Sequence, residues 1–228
     1  MNHQIIGTTL PVLEIQLDSG ESIVAESGEL SWLTPSVQMQ TSANAGGGLG
    51  GMFKRAMGGG GIFLTTYTAH APGVVAFATK LPGTIFPVQI TQGAGYMIHR
   101  HGFLCGTPGI AISMGFQQSL GAGIFGGEGF VLQRLDGDAT AFIELDGEVV
   151  IRDLQPGESL LVHPGHVGMF QEGMSFSITT IPGIKNKLFG GDGMFLAALT
   201  GPGRVWLQSL PIANLAHAIA PYLPQPNR

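Results

Sequence analysis

The chain has 228 residues, a formal net charge of -5 and only 11% charged residues. That charge offers no electrostatic footprint for gripping a phosphate backbone, which sets nucleic acid aside as a partner. A single cysteine, Cys105, excludes an intramolecular disulfide framework; with no basic and apolar leader at the start, it fits a reducing, cytoplasmic setting.

So little charge leaves a surface of Gly, Ser, Thr, Gln and exposed apolar atoms, of the kind that another subunit covers. Short apolar runs bounded by "DSG", "LPG", "DGD", "DGE" and "QPG" predict an all-β chain of about 12 to 16 strands.

Early in the chain, "GESIVAESG" from Gly20 reads as a strand between turns. The stretch "AGGGLGGMFKRAMGGGGIF", residues 45 to 63, then contains the string Gly46-x-Gly48-x-x-Gly51. A dinucleotide fingerprint needs a strand before it, a helix after it and an acidic residue about 20 positions on. None of these is met well, and no Gly-Lys-Ser/Thr follows to make a phosphate loop. Gly46 to Gly51 is read instead as an inserted flexible loop. "MFKRAM" is read as a helical turn packing its apolar side on the β structure, with peripheral membrane contact as the other possibility. Gly46, Gly48, Gly51, Met52, Phe53, Lys54 and Arg55 together form a candidate interaction loop.

Further along, His99 and His101 stand two apart, which on a strand places both side chains on one face. Gly93 precedes His99 at a spacing like the first motif of the cupin metal-binding barrels, and His163 and His166 occupy the corresponding segment of a later copy. His99, His101 and His166 are the candidate metal ligands. The glutamate that the cupin pattern needs is missing, because "GFLCGTPG" follows. Residues 101 to 127 carry no charged side chain and are long enough to span a bilayer. Their glycines, Pro108, Gln117 and Gln118 make strands and turns the better reading, with no transmembrane segment.

In the second half, "AFIELDGEVVIRDLQPGESLLVH" predicts three strands with turns at Asp146-Gly147 and Pro156-Gly157. "IANLAHAIAPYL" places Ile212, Leu215, Ala216 and Ile219 on one face before Pro221, which predicts a short C-terminal helix.

A repeat runs through these elements. "MGGGGIF" begins at Met57, "FGGEGFV" at Phe125 and "FGGDGMF" at Phe189. Each is followed by a strand-like run, a glycine-bearing turn ("HAPG", "LDGD", "TGPG") and a second run, the signature of a hairpin. Gly60, Glu128 and Asp192 share one slot, and the two acids read as turn residues. The expectation is one domain of three permuted β repeats, about 8–80, 81–144 and 145–210, arranged as a β-sandwich or prism, with the helix and tail at 211–228.

"GESIVAESGELSWLTPSVQMQT", "GGMFKRAMGGGGIFLTTYTA" and "LPGTIFPVQI" resemble the family of bacterial proteins related to the mitochondrial biogenesis (altered inheritance of mitochondria) protein, over about residues 8 to 210. The resemblance implies three β repeats about a pseudo-threefold axis, placed near the tryptophan RNA-binding attenuator-like β structures. Family members often carry Glu where this chain has Gly60. The resemblance supplies no catalytic residue, and it links the mitochondrial members to inner-membrane organisation.

Together these readings predict a non-enzymatic structural or protein-interaction chain without a cofactor. It self-associates, with a trimer as one form, and has a protein partner that the residues do not identify. The alternative is a metal-dependent, cupin-like small-molecule enzyme using the histidines.

Overall fold

The computed structural model describes residues 1–43, 63–118, 129–180 and 195–223, which form four antiparallel sheets and one short α-helix. The all-β expectation therefore holds. The segments holding Gly46, Gly48, Gly51, Met52, Phe53, Lys54 and Arg55, and also Gly60, Glu128 and Asp192, lie outside the described residues.

The first sheet sets β1 (Asn2–Ile6), β2 (Val12–Leu17), β7 (Gly73–Ala78) and β4 (Trp32–Leu33) side by side. The second has the order β5 (Val37–Ala43), β6 (Phe63–Ala69), β3 (Ser22–Glu26), β10 (Phe103–Gly106), β13 (Ala139–Asp146), β8 (Gly83–Ile90). A third six-stranded sheet runs β11 (Ile110–Gln118), β12 (Phe130–Gly137), β9 (Tyr96–His99), β16 (Val167–Gln171), β19 (Gly203–Gln208), β14 (Val149–Leu154). The fourth is β15 (Ser159–Val162), β18 (Phe195–Thr200), β17 (Ser175–Thr180). The nineteen strands among the described residues exceed the expected number because short ones such as β4, β9 and β10 show no alternation. All four residues of β10 are buried, so period two leaves no mark there.

By packing, the chain forms two compact units. The first comprises Met1–Gly95, His101–Ser113 and Arg134–Glu144. In β2, alternate residues Leu13, Ile15 and Leu17 point inward, and they meet Ile23, Tyr67, Phe77, Leu104 and Phe142 in one core. Tyr67 and Phe77 pack edge to face at 5.6 Å. Cys105 is fully buried in this core; its thiol pKa is raised well above the ordinary value, first by burial and then by Glu144. It is therefore a small core hydrophobe and a poor nucleophile.

The second unit comprises Tyr96–Arg100, Met114–Gln133 and Leu145–Arg228. Its core gathers Phe130, Leu132, Leu154, Val167, Phe170, Leu199 and Val205. Phe176 stacks on Phe170 at 5.2 Å and meets Phe116 edge-on at 5.0 Å. Helix α1 (Ile212–Ile219) forms where its apolar spacing predicts, and Pro221 follows within a 3₁₀ turn. None of its residues is buried.

The expected hairpins after the glycine repeats are not hairpins. In all three places the turn carries the chain from one sheet into another: β6 to β7 through "HAPG", β12 to β13 through "LDGD", and β18 to β19 through "TGPG". Both strands of each pair carry inward apolar residues, so each finds partners in its own sheet. A crossing turn packs closely against its neighbours, and its glycine is where they touch. A Cβ on Gly73 would lie 2.3 Å from Ser36 Oγ, and one on Gly203 2.6 Å from Met174 Cγ. On Gly137 it would lie 2.1 Å from the Gly109 carbonyl oxygen, and Gly137 also has φ of +105°. Gly137→Ala is accordingly expected to cost about 2–4 kcal/mol in urea unfolding, through a backbone clash together with a left-handed φ. Wild-type stability would contradict this account of the turn.

Candidate functional site

A cluster of titratable and polar side chains with defined partners lies in the second unit, where the β15–β16 connection meets the end of β19. Pro164 fixes the backbone at the start of a 3₁₀ turn, Pro164–His166, which the His166 N–H closes by donating to the His163 carbonyl at 2.9 Å. The two imidazole rings then stand edge-on at 5.9 Å.

His166 Nδ1 lies 2.8 Å from the Gln208 carbonyl oxygen. A carbonyl only accepts, so Nδ1 carries the proton and neutral His166 keeps its lone pair on Nε2. Gln208 is 2% exposed and is clamped at both ends of its amide. Its Nε2 donates to the Gly165 carbonyl at 2.9 Å, and its Oε1 accepts the Asp146 N–H at 3.2 Å. That one side chain ties the histidine turn to the β13–β14 turn.

Asp146 heads this second turn, where Gly147 has φ of +74°. The Ser209 hydroxyl accepts the Glu148 N–H at 2.8 Å, and the Leu210 N–H donates to the Asp146 carbonyl at 3.1 Å. Burial pushes the Asp146 carboxyl up to about 6. His163 is shifted the other way: burial, and then His166, hold its pKa below the ordinary imidazole value. The cluster thus offers a directed imidazole lone pair, a second imidazole that stays neutral near pH 7, and a carboxyl that takes up a proton in mild acid.

Of the expected ligands, His99 ends β9 half-buried, whereas His101 is exposed in the turn that follows. The strand stops before His101, so the two do not share a strand face. They also fall in different packing units, His99 in the second and His101 in the first. The described residues contain no group of three or more His, Cys, Asp or Glu placed to hold a metal ion. What the structure does bring together is His163 with His166. Sequence reasoning left out Asp146 and Gln208. Asp146 was legible only as half of an Asp-Gly turn, and Gln208 only as a polar residue two positions after Trp206.

The architecture defines a class: an all-β chain of paired antiparallel sheets, with no helix among the described residues long and apolar enough to cross a membrane. The chain belongs to the mitochondrial biogenesis AIM24 family, whose model matches residues 3–210. It is 26% identical over 220 residues to an uncharacterised protein of Streptococcus pyogenes serotype M6, covering 94% of this chain and 87% of that protein. The crystal structure of protein SPYM3_0169 from Streptococcus pyogenes shares the fold, with a TM-score of 0.77 at 22% identity. That match covers 97% of this chain and 99% of the other.

The direction of the Asp146 shift fixes a pH dependence. Between about pH 4 and 6 the folded chain holds this proton more tightly than the unfolded chain, so its contribution to stability falls as pH rises through that window. Asp146→Asn removes the ionisation. The variant is expected to match the wild type at about pH 3, below the unfolded carboxyl range, and to exceed it at pH 7.5 by about 1 kcal/mol, an amount already reduced for solvent screening of a partly exposed group. Urea titrations at the two pH values test this; an equal difference at both would show that the carboxyl does not titrate as described.

Proposed function

We propose that this chain is a non-enzymatic structural or protein-interaction β module that self-associates through the edges of its sheets, in a reducing compartment such as the cytoplasm. The observation that carries this reading is the location of the exposed large apolar side chains. On strands they are Ile5 and Ile6 in β1, Trp32 in β4, Met39 in β5, Met114 in β11, Val150 and Ile151 in β14, and Leu161 in β15, with Phe63 at the start of β6. Every one of these strands except β6 is first or last in its sheet.

An edge strand presents unpaired backbone donors and acceptors, and chains that stay apart blunt such edges with charge, proline or bulges. Here β8 carries Pro87, while the edges named above carry apolar side chains. Helix α1 adds Ile212 and Ile219, which are 51% and 43% exposed. The low charge of the whole chain points the same way. The single cysteine, buried and unpaired, suits a reducing compartment.

Size-exclusion chromatography with light scattering, run from low to high micromolar concentration, is expected to give a mass that is a multiple of the chain mass. A strict monomer across that range would overturn the reading.

A further inference from the structure

We propose that β14 is a self-pairing edge, on which β14 of a second copy of this chain docks antiparallel across a two-fold axis through Ile151. The inference rests on the self-association reading and names the surface that performs it.

Backbone geometry selects the residues. Among the described residues β14 pairs only with β19, in the register Val149↔Gln208, Ile151↔Trp206 and Asp153↔Arg204. The Ser209 N–H donates to the Glu148 carbonyl at 3.0 Å, which makes Glu148 a hydrogen-bonded position of the ladder. Antiparallel positions alternate, so Val149, Ile151 and Asp153 are the non-bonded positions, and their N–H and C=O groups point away from β19 to the open side. A second observation agrees: the Ile151 carbonyl accepts a hydrogen bond from Arg152 Nη1 at 3.0 Å, a contact made by a side chain of its own strand. Residues Val150 to Asp153 are all exposed, with Val150 at 39% and Ile151 at 47%. Apolar surface therefore shows on both faces of this edge.

A second strand can bond to these outward groups only if odd-numbered positions meet odd-numbered positions. Centring the pair on Arg152 would set two arginines opposite each other, and like charges directly opposed destabilise a sheet. Centring it on Val150 would set Asp153 against Gly147, which lies outside the strand in a turn with φ of +74°, and so pairs fewer outward positions. Centring it on Ile151 sets Ile151 against Ile151, Val149 against Asp153 and Val150 against Arg152. No like charges meet, and the three outward positions of each strand supply about six backbone hydrogen bonds. The Asp153 carboxylate is already held by Arg204, at 2.6 Å to Nε and 3.0 Å to Nη2. A two-fold pairing of this kind is closed and self-complementary, which is how most homo-oligomers form.

The test uses the full chain. Ile151→Lys places two ammonium groups opposite each other at the axis; sedimentation equilibrium is expected to show association weakened about tenfold or more, with the thermal midpoint unchanged at concentrations low enough for both proteins to be dissociated. Ile151→Cys is expected to give a disulfide-linked dimer on mild oxidation, since the paired Cα atoms would stand about 5.5 Å apart. Val150→Cys, whose counterpart across the axis is Arg152, is expected to stay largely uncrosslinked. An oligomeric wild type with unaltered association of Ile151→Lys, or crosslinking through Val150→Cys in place of Ile151→Cys, would overturn the assignment of this edge while leaving self-association standing. A wild type that is monomeric at all concentrations would overturn both.

Discussion

The fold depends on moving the chain from one sheet to another within a few residues. At Gly73, Gly137 and Gly203 the turn is packed so closely that a Cβ would force its neighbours to shift, and in each case the strands before and after it belong to different sheets. A hairpin would have kept both strands in one sheet and left one set of inward residues without a facing layer. The crossing turn gives each strand its own sheet, and the two cores follow from it: Tyr67 of β6 and Phe77 of β7 meet across one sandwich, and Leu199 of β18 and Val205 of β19 share the other. All three turns therefore act alike, although the strands they join lie in different pairs of sheets.

Much of this architecture was legible. The strand-rich, all-β character, the turns at Asp146-Gly147 and Pro156-Gly157, and the helix stopped by Pro221 were all read from residue type and period, and all are present. Sheet membership was not legible. Period two tells which side of a strand faces inward but not which strand lies next to it, so a glycine turn between two apolar runs reads as a hairpin whether or not the chain changes sheet. The family resemblance reached the right family through ordered motifs, without needing that information.

The candidate site was less legible, for a related reason. His99 and His101 look paired in sequence, but a strand ends between them, and strand ends leave a weaker trace than strand interiors. His163 and His166 are brought together by a proline-started 3₁₀ turn. The residue that organises them, Gln208, lies far away in sequence and is buried for its two amide hydrogen bonds. A glutamine at the end of an apolar strand carries no sequence signal for that role, because its importance comes from the unpaired Gly165 carbonyl and Asp146 N–H it would otherwise leave behind.

Charge is scarce in this chain, and its placement at β14 is informative. Arg204 sits 5.9 Å from the Trp206 ring centroid while holding Asp153, so a cation, an aromatic ring and a carboxylate beside the edge satisfy one another within a single copy. An exposed pair of this kind adds little stability on its own. Its effect is on the edge: the Asp153 carboxylate is drawn towards β19, and the open side is left to backbone groups, Val150 and Ile151. Charged residues usually protect an edge strand by facing an incoming chain with uncompensated charge. Here the aspartate is compensated internally, and the exposed arginine bonds to the carbonyl next to it, so the charges that would normally discourage pairing at this edge are directed back into their own chain.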